Sequence, residues 1–311
     1  MKKTTVKFLL IHFLAITLGI FCVLQFAEEI LQFKKSVYTV MQGFKNQTES
    51  APEWQETFAD YAPMTHSGEE WYQDTRLIYH AGGAVDGFAY TNSKEALENT
   101  LAYGNTVVEN DFLFTLDGSL ICAHTWEDLY ALEPLTLKEV QDVGIYRKYT
   151  PMTAEELIGY MKENPDLVVI VDTKEEQPLT VMEELVRLSN REETILNRFV
   201  IQLYDRGMKQ DVLEIYPFHD ENFLFTAYEF GSERVEEIMQ LCYEENIRVV
   251  TVVYYSWSQE VVDFFREKGI VIFEHTVNDA YEAKDNIASG VQGVYTDFLQ
   301  KADMEDFADI Q

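Results

Sequence analysis

Cysteine is scarce in this chain: only Cys22, Cys122 and Cys242 in 311 residues. That excludes a disulfide scaffold. A Cys122–Cys242 bridge is the one pairing open to the outer region, and it is not expected. Basic residues are scarce as well. Lysine and arginine number 24 against 54 aspartates and glutamates, a formal net charge of −30. Such a surface argues against nucleic acid or anionic lipid as a bulk electrostatic partner. It is compatible with a divalent cation or with a substrate carrying a cationic head group. There is no low-complexity tract and no internal repeat.

Long apolar runs are absent with one exception. Lys2, Lys3 and Lys7 precede the mostly apolar stretch Phe8 to Ala27, and Glu28-Glu29 follow it. Roughly twenty such residues cross a bilayer core. The flanking charges favour the N-terminus inside and the bulk of the chain outside. No small-x-small cleavage site follows, so residues 1–35 are expected to be a retained membrane anchor rather than a cleaved signal peptide. Phe21 before Cys22 also disfavours a lipoprotein. Residues 36–72 read as a stalk or packed extension, with Trp54, Phe58, Trp71 and Tyr72 as docking candidates. Residues 73–311 are long enough for one large core.

From Leu77 onward, short apolar runs alternate with helix-period segments. Expected strands are Leu77–His80, Thr106–Asp111, Leu167–Asp172, Phe199–Leu203, Phe223–Ala227, Arg248–Val253, Ile270–Glu274 and Gly293–Thr296. Expected helices are Ser93–Tyr103, Thr153–Lys162, Leu179–Asn190, Arg206–Ile215, Glu233–Asn246, Ser258–Lys268 and Asp279–Ala288. Thr153-Ala154-Glu155-Glu156 offers a capping box, and Gly269 a helix stop. The pattern suits an α/β chain, either an open doubly wound sheet or a (β/α)8 TIM barrel. Several strands carry polar residues at their C-terminal ends, which favours the barrel. An Asp117-Gly118 turn predicts a hairpin inserted after the second strand. Leu132 to Tyr149 then continues that insertion, with Tyr130, Leu132, Leu135 and Ile145 as a candidate apolar lip.

Six residues at strand ends form the candidate site: His80, Glu109, Asp111, His124, Asp172 and Lys174. Glu109-x-Asp111 puts two carboxylates on one side of a strand. They repel unless a cation or proton lies between them. Asp172 supplies a third oxygen ligand, and an all-oxygen set suits Ca²⁺ or Mg²⁺ better than zinc. His80 and His124 are the candidate general base and acid. Lys174 faces the same way as Asp172 and is placed to hold a phosphate oxygen.

In order and spacing these residues resemble the glycerophosphodiester phosphodiesterase family, whose barrel also hosts phosphatidylinositol-type phospholipases C and sphingomyelinase-D-like enzymes. His80-Ala81-Gly82-Gly83 stands where that family has His-Arg-Gly, and Asn92-Ser93 stands at its Asn-Thr step. Glu109-Asn110-Asp111, Leu116-Asp117-Gly118, His124 and Asp172-Thr173-Lys174 follow in turn. Val200-Ile201-Gln202 and Gly290 to Asp297 look like its fourth and closing strands. The likeness runs from about Leu77 to Leu299. Ala81, Thr91 and Thr125 replace an arginine, a glutamate and an aspartate of the pattern, and the region of His275 replaces a tryptophan; His275 itself is a candidate for facing the site. The resemblance implies metal-dependent cleavage of a glycerophosphodiester or lipid-derived head group, with a neighbouring substrate hydroxyl as nucleophile. A phospholipase-like lipid hydrolase and a barrel that only binds phosphodiesters are the alternatives.

Overall fold

The computed structural model describes residues 53–173, 178–227, 232–253 and 256–304. The expected membrane anchor lies outside them, as does Lys174. Among the described residues, no helix is long and apolar enough to cross a membrane.

Eight strands run parallel and close on themselves: β1 (Leu77–Tyr79), β2 (Val107–Phe114), β5 (Val168–Thr173), β6 (Phe199–Leu203), β7 (Phe223–Ala227), β8 (Val249–Val253), β9 (Val271–His275) and β10 (Gly293–Thr296). Closure is direct, because β1 pairs with β10 on one side and with β2 on the other. Helices connect the strands, as in a TIM barrel. Each of the seven expected helices is present within about two residues. The Thr153 capping box forms, with Glu156 at its third position. At Gly269, φ is +73° and an added Cβ would lie 2.4 Å from the Met64 carbonyl, so glycine suits this helix stop on two counts.

The insertion is a continuation of β2 beyond the barrel. Residues Phe112–Phe114 pair antiparallel with β3 (Leu120–Cys122), which pairs with β4 (Met152–Thr153). The Asp-Gly turn is wider than two residues. Its strands stop at Phe114 and start at Leu120 because the Thr115 hydroxyl is held inside the loop by Asp117 (2.7 Å), whose carboxylate also takes the Leu137 amide at 2.9 Å. The insertion has its own small core, including Ile121, Val140, Ile145 and Tyr149, with Leu135 packed against it. Ile145 and Leu135 are therefore internal supports of the insertion. Of the four residues expected to form an apolar lip, only Tyr130 and Leu132 are exposed.

Alternation along the strands sorts side chains into two layers. Residues such as Val169, Ile201, Phe225 and Val250 point outward into the main core beneath the helices. Ile78, Val107, Ile170, Val200, Leu224, Val249, Phe273 and Tyr295 point inward and meet in a second cluster. The N-terminal extension completes that plug. Tyr72 is fully buried in it, and Trp71 stacks on Phe273 at 5.8 Å. Trp71 Nε1 donates to the Glu221 carbonyl (2.9 Å), while Gln292 donates to the Tyr72 carbonyl (2.7 Å), which ties the segment to the ends where β7 and β10 begin. Earlier in the segment, Trp54 and Phe58 join the main core.

Tyr72→Ala removes a fully buried aromatic from this plug and should cost about 3–5 kcal/mol in urea unfolding. The exposed Tyr103→Ala should change stability by no more than about 0.5 kcal/mol. Equal effects for the two variants would show that the extension does not seal the barrel.

Candidate active site

Two residues past each plug position, the inward-facing side chain is polar. The series is His80, Glu109, Asp172, Gln202, Thr226, Thr251, His275 and Asp297, with Asp111 one further step along β2. This places all of them toward the C-terminal ends of the strands, where barrel enzymes carry their chemistry. A pocket of about 180 Å³ opens there, lined by His80, Glu109, His124 and Asp172 together with side chains of the remaining strands.

Glu109, Asp111 and Asp172 each bring a carboxylate oxygen within 4.8 Å of the others, and all three are buried. Each is held from one side. The Ala81 amide donates to Glu109 Oε2 at 2.9 Å. Asn92 Nδ2 donates to Asp111 Oδ2 at 2.8 Å, while Asn92 Oδ1 accepts from the Asp111 amide. The Tyr204 hydroxyl makes a short hydrogen bond to Asp172, and its oxygen accepts from Gln202 Nε2 at 2.9 Å. Glu109 Oε1 is buried with no hydrogen-bond partner. Burial, then the charge of Asp111 and of Asp172, pushes the Glu109 carboxyl well above its ordinary range, against the pull of His80. An unpartnered buried carboxylate oxygen beside two more carboxylates is a donor set fitted to a hard divalent cation. The described lining of the pocket contains no lysine or arginine to neutralise it instead.

The backbone at the head of the site is unusual. Ala81 has φ of 49°, a left-handed conformation, and that turn aims its N–H at Glu109. Gly83 follows at φ +91°, where an added Cβ would lie 2.3 Å from the Thr100 hydroxyl. Ala81 is fully buried, so the arginine of the resembled pattern has no counterpart in the pocket.

His80 is oriented by an acid with no role assigned from sequence. Its Nδ1 is 3.0 Å from Asp297 Oδ1, and Asn278 holds Asp297 through Nδ2 (2.7 Å) and through its own Oδ1, which accepts the Asp297 amide. An acceptor at Nδ1 makes that nitrogen the protonated one and leaves Nε2, 3.9 Å from Glu109, facing the carboxylates. Burial opposes protonation of His80, but the Asp297 hydrogen bond and the charges of Glu109, Asp297 and Asp111 outweigh it and raise its pKa to about 9. Tyr90 stands edge-on to both histidines, with ring centroids 4.4 Å from His80 and 5.4 Å from His124.

Five of the six sequence-derived residues thus converge; the sixth, Lys174, falls outside the described residues. His275 faces the pocket, as considered from sequence. Asp297, Asn92, Tyr90, Tyr204 and the Gln202, Thr226, Thr251 series went unassigned. Asp297 carried the same signal as the others, an acid closing an apolar strand. Thr125 lies off the pocket lining, its amide bonded to Asp128. Cys122 and Cys242 are free thiols, with no bridge between them.

No protein-family model and no curated protein matches the chain. Solved structures do. A glycerophosphodiester phosphodiesterase from Parabacteroides distasonis aligns at 18% identity and TM-score 0.59, over 76% of this chain and 97% of its own. An Oleispira antarctica phosphodiesterase, solved with the product sn-glycerol-3-phosphate, aligns at 17% and 0.59, over 74% and 97%. The Thermotoga maritima glycerophosphodiester phosphodiesterase aligns at 21% and 0.54, over 76% and 97%. The chain therefore has the barrel fold of these enzymes.

Adding millimolar Ca²⁺ or Mg²⁺ should raise the melting temperature by roughly 5 °C or more, because a ligand that binds only the folded cluster stabilises it. Asp111→Asn should abolish the shift. A shift retained in that variant would place the cation elsewhere.

Proposed function

We propose that this protein is a phosphoric diester hydrolase that uses one divalent cation, Ca²⁺ or Mg²⁺, to cleave glycerophosphodiesters or related envelope or lipid head groups. The observation that carries the reading is the partnerless Glu109 oxygen inside a buried three-carboxylate cluster, beside a histidine held by Asp297. Glu109, Asp111 and Asp172 hold the cation. When bound, it supplies Lewis-acid stabilisation of charge on the non-bridging phosphate oxygens. Lys174 adds a positive point charge to the same oxygens.

The residues of the chain do the rest. Asp297 fixes the His80 tautomer, so that Nε2 is the nitrogen that takes the proton from the attacking hydroxyl. Asp297 raises the basicity of His80 most directly, and Glu109 and Asp111 add to it; a cation held by those last two would offset their share and lower the proton affinity of His80. His124, across Tyr90 from His80, gives a proton to the departing alcohol. The attacking group is a neighbouring hydroxyl of the substrate, so the alcohol leaves with the proton from His124 and a cyclic phosphate remains, which water opens in a second step to complete the hydrolysis. The structural neighbours support a small phosphodiester substrate, the Oleispira antarctica enzyme most directly through its bound product. We further propose that residues 1–35 anchor the chain in a membrane with the barrel on the extracytoplasmic side. Phospholipid head groups or glycerol-phosphate polymers would then be within reach.

His80→Ala and His124→Ala should each lower kcat on a cleaved glycerophosphodiester by about 10²–10⁴-fold. Both should keep the wild-type melting shift with Ca²⁺ or Mg²⁺. Near-normal turnover in both variants would overturn the assignment. Asp297→Asn should lower kcat with little change in KM, since it disturbs the orientation of His80 rather than binding.

A further inference from the structure

The polar ring has two unlike halves. β10, β1, β2 and β5 are consecutive around the barrel and deliver Asp297, His80, Glu109, Asp111 and Asp172. The other four consecutive strands, β6 to β9, deliver Gln202, Thr226, Thr251 and His275. None of these is a carboxylate, lysine or arginine, yet each offers a hydrogen-bonding group to the same pocket.

We infer that this half of the ring, which carries no carboxylate, lysine or arginine, is a subsite for an uncharged, polyhydroxylated head group of the diester, with the Thr226 hydroxyl as one of its contacts. The inference rests on the proposed reading for the position of the phosphate, which the cation cluster holds on the opposite wall. Thr226 is only 5% exposed, and its Oγ1 is buried without a hydrogen-bond partner. Its direction is set by alternation: Leu224 lies in the inner plug, and Phe225 and Ala227 in the outer core. A buried hydroxyl with no partner is costly, and the cost is removed when a ligand hydroxyl meets it. Thr251 lies beside it in strand register, so two hydroxyls face one region.

The neighbouring groups are loosely satisfied. Thr251 Oγ1 is 3.3 Å from the Tyr295 hydroxyl, which reaches Gln202 Oε1 at 3.4 Å. Bonds of that length can be exchanged for shorter ones to a ligand. A quaternary ammonium head group would need a carboxylate or open aromatic faces. Asp297 is engaged by His80 and Asn278, and the other three acids form the cation cluster. Of the aromatic rings that line the pocket, Tyr295 on this side is only 2% exposed, Tyr204 is bonded to Asp172, and the exposed Tyr90 stands beside the two histidines rather than among Gln202, Thr226 and Thr251. The large negative charge of the chain, which by itself suits a cationic head group, is not expressed on this wall.

The test is calorimetric binding to the full-length chain carrying His124→Ala, with Ca²⁺ present, so that the diester is not consumed. Glycerophosphoinositol and glycerophosphocholine are compared in this background, then with Thr226→Val and Thr226→Ser added. Wild-type turnover is measured on both diesters in parallel. The inositol diester should bind at least about tenfold tighter than the choline diester, the worth of one well-made hydrogen bond. Thr226→Val should collapse that ratio and Thr226→Ser restore it. Equal binding of the two diesters, or equal weakening of both by Thr226→Val, would overturn the subsite. Should Thr226→Val fail to fold, the ratio without it decides. A retained ratio without turnover of either diester by the wild type would leave the subsite standing and count against the hydrolase. Turnover without any ratio would do the reverse.

Discussion

Mutual repulsion among three buried carboxylates is the constraint around which this molecule is organised. Glu109, Asp111 and Asp172 come within 4.8 Å of one another in a site that water scarcely reaches. Like charges in such a place are costly unless neutralised. The fold imposes the proximity anyway, because β2 and β5 are paired with Asp111 opposite Asp172. Neither strand can slip by one residue without turning its plug residues outward. The inner apolar cluster at the base of the barrel, sealed by Tyr72, therefore fixes the height and facing of the acids above it.

The remainder of the site is arranged around that charge. The Ala81 amide, the Asn92 side chain and the Tyr204 hydroxyl each bind one acid. Ala81, Tyr90 and Asn92 all adopt positive φ, at 49°, 59° and 47°. Non-glycine residues pay for that conformation, and such strain gathers where geometry is over-determined by function. Here the strained turn brings a backbone donor to Glu109, an amide to Asp111 and an aromatic ring between two histidines. Hydrogen-bonded partners of this kind set ligand orientation in metal sites as much as the ligands do.

Much of this was legible in the sequence, and what was missed has physical reasons. Strands and helices were readable because the barrel buries each strand on both faces and each helix on one, so period and length separate them. His80, Glu109, Asp111, His124 and Asp172 stood out because charged or titratable side chains at the ends of apolar strands need an explanation. Gln202, Thr226 and Thr251 occupy equivalent positions but gave no such signal, since threonine is an ordinary strand residue and Gln202, though part of a strand resembling the family's fourth, carries no charge that calls for a role. Asp297 was visible but lacked a partner, because its pairing with His80 joins the first and last strands and appears only on closure. The apolar lip is half as large as expected for a related reason: Tyr130 and Leu132 are exposed, but Ile145 and Leu135 serve a small core that exists only once β2 extends into the insertion.

The most direct measurement is alcohol release from a panel of glycerophosphodiesters by the full-length wild-type chain, with Ca²⁺, with Mg²⁺ and with a chelator. Release that requires one of the cations and stops on chelation is the predicted result. Release undiminished by chelation would contradict the account, because the buried acids would then have some purpose other than holding a cation for phosphodiester cleavage.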